Sequence, residues 1–188
     1  MNTKKFARII SEIFNGFTLM VLSVAIPLFV SDISNCKKFT YITIYTLIPL
    51  LSYFAVKKFA KISDHDFTDR RERPPFFVTL TVLFGIMHLL LKREGIQMLT
   101  DTSLALFAST TALTLVTFFW KMSGHMTYST LFFTSMLYTF KNPLLLLLYI
   151  FTPIIGWARI KLSKHTLAQV IAGTFVTLTI SVLIFFVF

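Results

Sequence analysis

Three short polar segments hold most of the side chains in this 188-residue chain that could do chemistry. In the first, Arg70, Arg71 and Arg73 precede Pro74 and Pro75. Guanidinium groups present planar forks of donors that match phosphate oxygens, although a basic loop on the cytoplasmic side of a membrane has the same composition. The second reads Lys121, Met122, Ser123, Gly124, His125 and runs into a helical pattern. A Ser-Gly pair at a helix start offers backbone N–H groups to an anion, with His125 beside it able to donate a proton; a serine that merely caps the helix looks the same. In the third, Arg159 stands six residues before His165, which opens the last apolar run. Ionisable groups at membrane depth are costly unless they face a polar cavity or the interface, so the pair is a candidate site, while Arg159, Lys161 and Lys164 also read as interfacial anchors. Together the three segments suggest chemistry on a phosphate, with protons to be moved.

The elements that must position these residues are membrane spans. The chain is 55% apolar with 22 Phe, and its mean hydropathy is +0.75, which no ordinary soluble surface accommodates. Apolar runs broken by charge or Pro predict spans over about 13–31, 40–56, 76–91, 102–120, 125–140, 143–158 and 167–188. Runs near 16 residues are short for a roughly 30 Å hydrocarbon core, so the expectation is an all-α bundle of six or seven helices. Two crossings separate each polar segment from the next, which puts all three, and the basic stretch Met1–Arg8, on one membrane face. That stretch leads into an apolar run without a small-residue cleavage site, and a first transmembrane helix is expected there rather than a cleaved signal peptide. No linker or repeat divides residues 1–188, so one membrane-embedded domain is expected.

The formal charge of +10 sits at the ends of spans rather than along a soluble face. Membrane lipids, not nucleic acid, are the expected partners. Thirteen Lys and Arg lie on the face of the three segments and five on the other (Lys37, Lys38, Lys92, Arg93 and Lys141), so the positive-inside rule assigns the polar segments to the cytoplasmic side of a multi-pass protein of the cell membrane. The single cysteine, Cys36, has no partner for a disulfide or a metal site.

In order and on one face, Arg73-Pro74, Ser123-Gly124-His125 and Arg159-x5-His165 resemble the three-part signature of the type 2 phosphatidic acid phosphatase superfamily, which runs Lys-x6-Arg-Pro, Pro-Ser-Gly-His and Ser-Arg-x5-His-x3-Asp. The resemblance covers about residues 61–173. It implies a phosphatase that needs no cofactor and acts on a lipid phosphate or polyprenyl pyrophosphate. His165 would attack phosphorus to give a phosphohistidine, and His125 would protonate the leaving alkoxide. Arg73, Arg159 and the backbone at Ser123 and Gly124 would hold the phosphate oxygens, with Arg71 as a further source of charge.

The sequence departs from that signature at four places: Asp66 where the lysine falls, Met122 and Ala158 before the second and third motifs, and Gln169 in place of the aspartate that orients the nucleophile. Lys61, Arg70 or Arg71 could supply the lysine's charge. Gln169 lies four residues after His165, on the same helical face, where its amide oxygen can accept the ring N–H without a charge to stabilise an imidazolium. A catalytically silent relative that binds or moves a lipid phosphate is therefore the rival reading. A third is a metal-dependent transferase using Asp64, His65, Asp66 and Asp69 for Mg²⁺, but such intramembrane enzymes need two acidic motifs, and Glu12, Asp32, Glu72, Glu94 and Asp101 are scattered. One of the clustered aspartates could instead reach His165 and replace the missing carboxylate.

Overall fold

The computed structural model describes residues 2–59 and 69–188. Among them every regular element is helical and none is a strand. The order is α1 (Thr3–Ile13), α2 (Gly16–Val30), α3 (Asn35–Phe59), a 3₁₀ turn (Arg70–Glu72) leading into α4 (Arg73–Lys92), α5 (Gln97–Phe119), α6 (Gly124–Phe140), a 3₁₀ stretch (Pro143–Ile150) leading into α7 (Phe151–Lys161), and α8 (Leu167–Val182), which ends in a π-turn (Leu183–Val187). Among the described residues six stretches are long and apolar enough to cross a bilayer: Thr3–Val30, Asn35–Phe59, Arg70–Lys92, Gln97–Phe119, Pro143–Lys161 and Leu167–Val187. The protein thus has the fold of a multi-pass helical membrane bundle. Helix α6, of 17 residues, runs through its middle.

The helix starts follow from local side chains. Asn2, Asn15, Ser123 and Thr166 each sit just before a helix and accept a backbone N–H of its first turn, a contact worth about 1 kcal/mol per cap. Asn15 does more than start α2: with Phe14 it breaks the first apolar run, whose expected start at residue 13 falls ten residues after the helix begins. The missing piece is α1, an amphipathic helix that buries Ala7, Ile10 and Ser11. Basic residues carry α3 beyond the apolar run to Phe59, with Lys57 and Lys58 in its last turn, where cations suit the helix dipole.

The core is organised around α6, which buries ten residues against α2, α5, α7 and α8. Half of those ten are Ser or Thr, as expected where helices must approach closely without a hydrophobic drive between them. The Ser135 hydroxyl donates to the Ser23 carbonyl at 2.8 Å, tying α6 to α2. At Gly173 the approach of α8 is closer still: a Cβ there would lie 2.7 Å from the Ser123 carbonyl oxygen and 3.0 Å from Met126 Cβ. By contrast, α3 packs on α2 and α4 at the periphery and buries only Tyr45 and Pro49 in 25 residues.

Candidate anion site in the bundle

The spacing of Arg159 and His165 is set by how α7 ends. The Lys164 N–H donates to the Arg159 carbonyl (3.1 Å) and the Ser163 N–H to that of Ile160 (2.9 Å), with Ser163 in the left-handed conformation at φ 56°. This is a Schellman turn with serine where glycine is usual. It reverses the chain within four residues, so Arg159 on the last turn of α7 and His165 just before α8 come to face the same space. Lys121, from the α5–α6 connection, donates to the Lys164 carbonyl at 2.7 Å and fastens this turn to the second polar segment.

Helix α8 begins with a capping box. Thr166 Oγ1 accepts the Gln169 N–H (3.4 Å), and Gln169 Oε1 accepts the Thr166 N–H (3.2 Å). The same Oε1 lies 3.1 Å from His165 Nδ1. An amide oxygen only accepts, so Nδ1 carries the proton and Nε2 keeps its lone pair. Burial pushes the His165 imidazole down from its ordinary value, to about 2; the charges of Arg73, Arg159 and Lys121 push the same way, and the Gln169 bond opposes them. His165 is consequently a neutral base at any physiological pH.

Arg73 opens α4, followed by the two prolines, whose missing N–H groups fall where a helix has no use for them. It is 3% exposed, and its Nη1 donates to the Met122 carbonyl at 2.9 Å. The three arginines of the first segment do not act together. Successive residues of a 3₁₀ turn point about 120° apart. Arg70 accordingly reaches the Thr117 and Phe118 carbonyls at the end of α5, while Arg71 is exposed and does not line the cavity described below. Asp69 is exposed and accepts the Arg71 N–H. Lys61, Asp64, His65 and Asp66 lie outside the described residues.

These elements line a cavity of about 450 Å³. Arg73, Gly124, His125, Arg159 and His165 line its polar end, and Phe17, Met20, Leu50, Phe76, Phe77 and Leu80 its apolar wall; among the described residues none that lines it is acidic. Arg159 is 2% exposed, with Nη1 2.6 Å from Ser11 Oγ and 3.5 Å from His125 Nε2. The first turn of α6 contributes the Gly124 amide, which has no intrahelical carbonyl to bond. Ser123 contributes less than the sequence suggests: its hydroxyl caps α6 at the Met126 N–H, and its own N–H donates to the Gln169 carbonyl at 3.2 Å. That amide is a strut between α6 and α8 rather than a donor to a ligand.

Three contributors were not anticipated. The break before Asn15 brings a second helix start, Gly16 to Thr18, to the cavity; a Cβ on Gly16 would sit 3.4 Å from His125 Cα. The adjacent Asn15-Gly16 pair was the available signal. Ser11 follows Ala7 and Ile10 at helical spacing, a pattern concealed by the basic residues around it. Gly173 continues the row of His165 and Gln169 at four-residue intervals, one face of one helix. Two guanidiniums, two imidazoles and two helix starts around one cavity are chemically suited to a compact multivalent anion, and the greasy wall beside them is suited to an apolar chain. Compared with known proteins, the chain matches no family model, no curated protein and no solved structure.

Proposed function

We propose that the protein is an integral-membrane phosphatase for a lipid phosphate or polyprenyl pyrophosphate, working through a phosphohistidine as in the type 2 phosphatidic acid phosphatases whose motifs it resembles. The observation that carries this reading is the single cavity in which a neutral, lone-pair-bearing His165 stands among Arg73, Arg159 and His125 beside an apolar wall. Its chemistry needs no metal. His165 Nε2 attacks phosphorus as the bond to the lipid oxygen breaks, while Arg73, Arg159 and the Gly124 amide take the charge on the equatorial oxygens. His125, as general acid, gives a proton to the leaving alkoxide. Water then attacks the phosphohistidine, with His125 as base, releasing phosphate and restoring His165. The charge bias supports the cytoplasmic face of the cell membrane as the place of this chemistry.

The test is phosphate release by detergent-purified protein from phosphatidic acid, phosphatidylglycerol phosphate and polyprenyl pyrophosphate in the presence of a chelator. Turnover should fall by about 10⁴-fold or more in His165→Ala. Activity unchanged in that variant removes the mechanism.

Gln169 favours a second reading, a relative that binds or translocates a lipid phosphate without cleaving it, because a neutral acceptor on Nδ1 does little for a developing imidazolium. Gln169→Glu separates the two, since Glu serves the capping box equally well and adds the charge. A binding-only protein that gains turnover from this change is a silent phosphatase; one that gains none has lost more than the carboxylate.

A further inference from the structure

We infer that Ser11 is the positioning residue for Arg159, so that the amphipathic first helix is part of the phosphate site; this rests on the phosphate-binding reading of the cavity. Ser11 and Arg159 are 148 positions apart, both are buried (6% and 2% exposed), and their contact of 2.6 Å is among the shortest side-chain bonds in the structure. A guanidinium is a rigid planar fork. Holding Nη1 at a fixed point therefore narrows the range of orientations in which the guanidinium meets the cavity.

The register of α1 serves this contact. Phe6 packs on Trp157 (ring centroids 6.1 Å apart) near one end of the helix, and Phe14 packs on Phe151 (5.0 Å) just past the other. Between them Ala7 and Ile10 pack with Ala158, next to Arg159, and the small side chains of Ala7 and Ala158 let the two helices approach. Packing alone would be met by alanine at position 11. A hydroxyl in so buried a place is costly without a partner, and the partner it has is the arginine. The same Nη1 lies 3.5 Å from His125 Nε2, so loss of the Ser11 hydroxyl shifts the balance of its contacts toward the imidazole and away from an anion.

The experiment measures the dissociation constant of inorganic phosphate by calorimetry, with KM and kcat for the best lipid phosphate and the Tm, for the full chain and for Ser11→Ala, Ser11→Thr and Ile10→Ala. Ser11→Ala should weaken phosphate binding and raise KM about tenfold at nearly unchanged Tm, as loss of one charge-assisted hydrogen bond implies. Ser11→Thr, which keeps the hydroxyl, should restore both. Ile10→Ala, which loosens the helix but keeps Ser11, should lower Tm and leave phosphate affinity near that of the parent. Parental phosphate affinity in Ser11→Ala overturns the inference, as does an equal loss of affinity in Ile10→Ala. A parent that binds phosphate and hydrolyses nothing removes the phosphatase reading while the affinity ratio still decides the role of Ser11. A parent that binds no phosphate overturns both.

Discussion

The two ends of the bundle differ in how deeply they bury charge. At the end away from the cavity, cations and carboxylates answer each other: Lys37 bridges Glu94 at 2.7 Å, Tyr41 donates to the same carboxylate, and the buried Asp101 takes hydrogen bonds from Gln97 and Tyr138. At the other end Arg73 and Arg159 are buried more deeply than any of these, and none of the described residues that line their cavity is acidic. Burying two guanidiniums beside a cavity is costly to the folded state, and the phosphate-binding reading proposed above would account for their place there.

Breaking the cationic end should therefore cost function, and breaking the paired end should not. Arg159→Ala should lower kcat/KM by roughly 10²- to 10³-fold, the loss seen when one preorganised donor to transition-state charge is removed. Assay of phosphate release checks this. Gly173→Ala should come next. The added methyl meets backbone at the Ser123 carbonyl, so α8 must shift, carrying His165 and Gln169 with it; a destabilisation of about 1–3 kcal/mol is expected, read as a fall in Tm together with reduced turnover.

Acid sharpens the contrast further. The fold holds His165 neutral down to about pH 2, whereas the unfolded chain takes up a proton near the ordinary value of 6.5, so stability is lost progressively as pH falls from about 6.5 toward 2. Tm measured at pH 7 and pH 5 should fall more in the parent than in His165→Gln. The smallest effect belongs to Lys37→Ala. Its side chain is largely exposed, and its ion pair should contribute at most about 0.5 kcal/mol, with turnover unchanged.

Charge and hydropathy made the spans legible, because a bilayer tolerates few alternatives to a run of apolar residues. The polar segments were legible as well, and the residues that meet in the cavity include one or more from each. What the sequence concealed were contacts that local pattern does not encode. Arg71 and Arg73 look alike on paper, and only the angular step of the 3₁₀ turn sends one outward and the other inward. Ser123 reads as a donor until its N–H is found on the Gln169 carbonyl. Gln169 stands out as a departure from an acidic residue; its second role, pairing with Thr166 to start α8, is a local signature that accounts for a glutamine there. Helix α1 was hidden for a different reason: Lys4, Lys5 and Arg8 lower its hydropathy below that of a span, while the three residues that matter occupy one narrow face.

The contact between Ser11 and Arg159 also bears on biogenesis. A chain is inserted from its beginning, so α1 and α2 reach the bilayer long before α7 has been made. Until then Ser11, Ala7 and Ile10 have no helix to cover them, and the serine hydroxyl has only lipid headgroups or water to bond. The first helix is thus made early and finished late, and it locks only when the last third of the protein arrives. A nascent chain stalled before residue 150 should leave Thr3–Ile13 open to protease, and one extended past residue 165 should protect it.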